Sequence, residues 1–136
     1  MKTVNSILFI SFIVLSLTSC TKDSESVDQK IVGKWQISEI YNGIAGSPFG
    51  WNTIQEQYKY SIQFQEDGSF IKTEAPGNSP SVCTGTYTLT NQNEIILNSV
   101  CNNSSEKLNL NLTSKALTIT YQVREGEIRE KFIKVQ

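Results

Sequence analysis

The sequence predicts an all-β fold, an eight-stranded antiparallel up-and-down barrel, on three observations. Apolar and polar residues alternate with period two along most of the chain after Ile31, as in Tyr58, Tyr60, Ile62 and Phe64. Short turn signals, Glu66-Asp67-Gly68 and Asn91-Gln92-Asn93 among them, separate the alternating runs. Alanine is scarce while Thr, Tyr, Val and Ile are frequent, a bias towards strand. Eight sequential strands laid flat would leave an exposed edge and an uncovered apolar face. Closure removes both, and an even count lets the first and last strands meet antiparallel.

A chain of 136 residues with 38% hydrophobic content allows one domain of ordinary size. A net charge of −1 offers no basic stripe, so no nucleic-acid partner is expected. The absence of histidine removes Ser-His and Cys-His nucleophile pairs and every His-containing zinc or haem site. No catalytic residue, metal site or cofactor is therefore assigned, and the chain is not expected to be an enzyme.

Residues 1–19 read as a signal peptide. Lys2 precedes an apolar run from Ile7 to Leu17. As a helix this run reaches about 16 Å, short of the ~30 Å hydrocarbon core of a bilayer. Leu17-Thr18-Ser19-Cys20 fits ordinary signal-peptidase cleavage poorly, because bulky Leu17 stands where a small residue is wanted. It resembles instead the lipobox of bacterial lipoproteins, in which the Cys thiol receives lipid and becomes the mature N-terminus. Residues 20–27, the lipidated Cys20 and the polar Thr21 to Val27, then form a flexible tether. Lys22-Asp23-Ser24-Glu25 looks like the short Lys-acidic signal that sends Bacteroidetes lipoproteins to the cell surface. The expected place is the bacterial cell envelope, on the outer membrane, with periplasmic or surface exposure open.

Residues 28–136 carry the strands. A short turn at Asp28 to Ile31 leads into the first, which Ile31-Val32-Gly33-Lys34-Trp35-Gln36-Ile37 opens. Tyr58 to Phe64 and Ser69 to Ala75 flank the Asp67-Gly68 turn. Cys83 to Thr90 and Glu94 to Ser99 flank the Asn91 turn. Leu108 to Leu112 and Leu117 to Val123 follow, and Arg124-Glu125-Gly126-Glu127 turns into a last strand, Ile128 to Val135.

Gly33-x-Trp35 at the start of the first strand matches the Gly-x-Trp motif of lipocalins. With Phe64-x-x-Asp67-Gly68-x-Phe70 and Gly85-Thr86-Tyr87-Thr88-Leu89, the chain resembles the lipocalin-like domain of Bacteroidetes lipoproteins over residues 28–136. Lipocalins proper cover that Trp with an Arg, for which Arg129 is the candidate here.

The connections alternate in length. Asn42 to Gln57, Pro76 to Val82 and Val100 to Glu106 are long, and in an up-and-down barrel they share one rim, where binding residues concentrate. With Cys20 consumed by lipid, two cysteines remain. Pairing steps outward from the Asn91 turn through Thr90–Glu94, Leu89–Ile95 and Tyr87–Leu97, and the same steps bring Cys83 opposite Cys101. Facing residues lie within disulfide reach, so a bridge at the long-loop rim is expected.

An eight-stranded barrel is either just filled by side chains or holds one small ligand. Inward candidates such as Trp35, Ile37, Tyr60, Phe64, Tyr87, Leu97, Tyr121 and Phe132 are large. Gly85 and Ser99 face each other near the rim and leave room for a cavity. Phe49 and Trp51 in the first loop have no core to join unless that loop folds over the mouth as a lid; otherwise they are a contact for a partner or a sugar ring. Acidic residues are assigned mainly to turns and the tether (Glu66, Asp67, Glu125, Glu127). The leading expectation is a membrane-anchored binder of a small, largely apolar molecule, with Trp35, Phe49, Trp51, Tyr58, Tyr60, Tyr87 and Tyr121 as candidate contacts. The alternative is a filled barrel presenting loops to a surface protein or glycan, as small-barrel protease inhibitors do.

Overall fold

The computed structural model describes residues 30–74 and 81–136. The signal segment, Cys20 and the tether lie outside the described residues. Nine strands run in chain order: β1 (Gly33–Asn42), β2 (Gly50–Thr53), β3 (Ser61–Phe64), β4 (Ser69–Thr73), β5 (Val82–Asn91), β6 (Glu94–Ser99), β7 (Ser104–Leu112), β8 (Ala116–Val123) and β9 (Gly126–Val135). Eight of them, β1 and β3 to β9, pair antiparallel in order, and β1 closes the ring against β9 with Ile37 opposite Phe132. The eight-stranded up-and-down barrel expected from the sequence is present.

The first connection differs from expectation. Part of it is strand: β2 lies on the same edge of β1 as β3, with Trp51 opposite Tyr41. Between β2 and β3 the chain leaves the sheet in a 3-10 turn, Glu56–Tyr58. The ladder bridges this excursion, since Ile54 N donates to Ser38 O and Ile37 N donates to Tyr60 O. Tyr58 therefore sits on the turn, 64% exposed, and not in the inward row that its spacing from Tyr60 suggested.

A bulge in β1 between Ile37 and Glu39 changes which face each residue takes. Trp35 and Ile37 are buried, whereas Glu39 turns outward to an ion pair with Lys131 at 2.5 Å. A second irregularity sits at the end of β5. Leu89, Tyr87 and Gly85 pair with Ile95, Leu97 and Ser99 as the turn predicts, but Asn91, not Thr90, stands opposite Glu94. The Asn91 side chain accepts from Asn93 N at 2.8 Å and tightens the turn, which leaves Thr90 as the extra residue. Beyond it the register is unchanged, and Cys83 is disulfide-bonded to Cys101 with Cα atoms 5.7 Å apart. At the β3–β4 hairpin Gly68 adopts φ +81°, and the Asp67 carboxylate accepts from Ser69 N at 2.9 Å. Those hydrogen bonds from Ser69 hold the Asp67 pKa below the ordinary carboxylate value.

Each strand reverses direction, so the β1 start, the β9 end and the turns at Gly68, Asn93 and Thr113 share one end. That end is closed. Trp35, Phe64, Phe132, Ile31, Ile37, Ile95 and Leu117 are fully buried there. Burying one such side chain favours the fold by about 1.5–3 kcal/mol over leaving it in water. Gly85 serves this packing by lacking a side chain, since a β-carbon would lie 2.1 Å from Asn98 O and 2.6 Å from the Phe70 ring. Phe70 thus takes the room beside Gly85 that the sequence reading left to a cavity.

Candidate functional site

The other end of the barrel is open, and β7 explains part of its character. This strand starts at Ser104, two residues earlier than the expected loop end, so Ser104 and Glu106 continue the inward row of Leu108 and Leu110. The same parity turns Lys72 and Glu74 inward behind Phe70, and Glu130 inward beside Phe132. Together they wall a cavity of about 590 Å³. Its base is apolar, built from Ile62, Phe70, Leu97, Ile119 and Phe132. Its wall carries Tyr60, Tyr121, Lys72 and three glutamates, and its rim carries Ser99 and the Cys83–Cys101 bridge.

The wall is wired in part. Tyr121 OH donates to Glu130 Oε2 at 2.9 Å. The Tyr60 ring meets Phe132 edge-on at 5.7 Å between centroids, and Lys72 Nζ stands 4.7 Å from the Tyr60 centroid. Lys72 also pairs with Glu74 at 3.5 Å. The Tyr60 hydroxyl is buried and makes no well-aligned hydrogen bond among the described residues, although the Glu130 carboxylate is close enough to act on it. Burial first, and the Glu130 charge second, raise the pKa of both Tyr60 and Tyr121 far above the ordinary phenol value. Both hydroxyls therefore keep their protons at any physiological pH. Neither Glu106 nor Glu130 has an ion-pair partner among the described residues.

Of the residues singled out from the sequence, Tyr60 and Tyr121 line the cavity. Trp35 does not. It is part of the closed floor, where its Nε1 donates to Ile31 O at 2.7 Å. The cation over its ring is Lys134, with Nζ at 5.2 Å, and not Arg129. Arg129 lies on the outer wall, 5.0 Å from the Tyr41 ring, because outward Tyr41 is its partner across β1 and β9. Tyr87 packs on Phe64 at 4.9 Å and donates to Gln65 O at 2.8 Å, at the closed end. Phe49 and Trp51 form no lid: Phe49 is 66% exposed, and Trp51 stands on the outer wall, 5.5 Å from Tyr41 and beneath Lys131.

The sequence reading missed Lys72, Glu74, Glu106 and Glu130. Each is an even number of residues from an inward apolar neighbour, and that parity was the available signal. No family model matches the chain, and a search of curated proteins finds no match to it.

Proposed function

We propose that this protein is a lipid-anchored, lipocalin-like binding protein that holds one small molecule in the open half of its barrel. The cavity of about 590 Å³ carries the reading. That volume falls within the ~300–1,000 Å³ common for ligand sites, and an apolar base under a few placed polar groups is their usual chemistry. The anchor rests on Leu17-Thr18-Ser19-Cys20. Its expected site is the outer membrane, and the reading assigns no catalysis. Residue 30 lies at the closed end, so a tether from Cys20 would leave the mouth facing away from the bilayer.

Leu97→Trp would fill the cavity from its base. After gentle extraction, native mass spectrometry should find a small molecule on the natural protein and none on the Leu97→Trp variant. Protein that emerges empty, and that takes up no uncharged environment-sensitive dye, would count against the binding role. Cys20→Ser should release the protein from the membrane to the soluble fraction; a variant that stays with the membrane would count against the anchor.

The outward aromatic row of Phe49, Trp51 and Tyr41 favours a second reading, in which the outer wall meets a surface protein or glycan. Trp51→Ala would abolish that contact and leave cavity binding unchanged.

A further inference from the structure

We propose that the molecule held in this cavity carries a cationic nitrogen, a protonated amine on a compact apolar body. The inference rests on the binding role above and adds the chemistry of the ligand.

The walls supply the argument. Three glutamates stand against one lysine around the cavity. Lys72 is engaged by Glu74 and by the face of Tyr60, which leaves Glu106 and Glu130 without a counter-cation among the described residues. On the outer wall the facing carboxylates are matched: Glu39 meets Lys131, Glu94 meets Lys107, and Glu127 meets Arg129. Among the carboxylates on described strands, the two left without a cation, Glu106 and Glu130, both line the cavity.

Glu130 is the half-buried member of the unmatched pair and lies deeper than Glu106, which is exposed at the mouth. Tyr121 occupies one lone pair of Glu130 and fixes its direction. The Tyr60 hydroxyl, buried in the same wall with the Glu130 carboxylate close enough to act on its proton, can accept one N–H of an ammonium group on its oxygen. The faces of aromatic rings also favour a cation, and Lys72 already uses one of them. An anion would meet the glutamates without compensation. A metal ion fits poorly, because among the described residues no three acidic or cysteine side chains converge closely enough to hold one. Below the wall, Ile62, Phe70, Leu97, Ile119 and Phe132 would take the apolar body of the ligand.

Calorimetric titration of the intact protein at neutral pH with hexylammonium, hexanol and hexanoate isolates the head group, because the apolar body is constant. Hexylammonium should bind tightest and hexanoate weakest. Glu130→Gln should weaken hexylammonium about ten- to hundredfold, the worth of a charge-assisted hydrogen bond, and leave hexanol unchanged. Glu130→Asp should recover part of the loss. An unchanged melting temperature in Glu130→Gln separates lost recognition from lost folding. Hexanol or hexanoate binding as well as hexylammonium would overturn the amine inference and leave the binding role standing. Equal hexylammonium affinity in Glu130→Gln would overturn it as well. Binding of none of the three would overturn both.

Discussion

At the closed end of the barrel, Trp35, Phe64 and Leu117 meet in a packed floor that excludes water. At the open end, the same strands turn Lys72, Glu106 and Glu130 into a cavity. Along β4, β7 and β9 the backbone alternation runs unbroken through both halves, and only the side chains on the inward row change class. Fold stability is therefore concentrated below, where apolar area is removed from water. The upper half is left to chemistry that a core would not tolerate. The barrel is neither filled nor hollow throughout; it is a cup.

The sharpest way to break this comparison is to exchange the costs. Trp35→Ala should destabilise the protein by about 3–5 kcal/mol, since it empties the floor and strands the Ile31 carbonyl. Glu130→Gln, a change to the half-buried wall of the upper half, should move stability by about 1 kcal/mol or less. Urea unfolding of the two variants measures both. Equal costs would mean that the upper wall is structural and that the division into floor and cup is wrong.

The disulfide sharpens the comparison, because it is the open end's own fastening. Cys83 and Cys101 join β5 to the segment after β6 where no packed core lies beneath them. Replacing both by Ser should cost about 3 kcal/mol in the chain-entropy account of a loop this long. Amide exchange should quicken near Val82 and Ser99 while the floor around Trp35 and Ile95 stays protected. Uniform quickening would show that the two ends unfold as one unit.

The smallest effect, absent at neutral pH, comes from Tyr60 and Tyr121. Their folded-state pKa values are raised, so the unfolded chain loses these protons first. Stability should be unaffected below a pH of about 10 and should fall as pH rises above it. Absorbance of tyrosinate at alkaline pH, followed alongside circular dichroism, should show part of the tyrosine signal appearing only with unfolding. Tyr60→Phe should lessen the alkaline loss.

Much of this was legible in the residues. Strict alternation in Cys83 to Thr90 fixed one register, and that register alone brought Cys83 to Cys101. The Gly33-x-Trp35 motif marked the start of β1 and a residue that proves fully buried. Two kinds of feature were not legible. A bulge such as that at Ser38 shifts parity without a local signature, since it is set by the fit between β1 and β9. The cavity wall was hidden by the rule that charge belongs in solvent. Lys72 and Glu130 obey the parity of their strands and break that rule, being half-buried in the wall, and parity proved the better guide. For Trp51 the reverse held. An aromatic in a glycine-rich stretch reads as loop, yet Tyr41 and Lys131 give it a flat outer surface to pair against.

Closure of β1 on β9 also bears on how the chain could be written. Lys34 stands opposite Val135, and Lys134 Nζ reaches Lys30 O at 3.3 Å, so residues 30 and 136 are neighbours at the closed end. A continuous ring of hydrogen-bonded strands has no obligatory first member. Joining these two positions by a short linker and cutting the exposed Asn91–Asn93 turn would keep every strand pair except the β5–β6 turn. It would also move the most distant pairing in sequence from β1–β9 to β5–β6. Contacts far apart along a chain close slowly because their loop entropy is met before they gain anything. In this barrel the slowest seam to close is thus a property of where the chain is cut, not of the architecture.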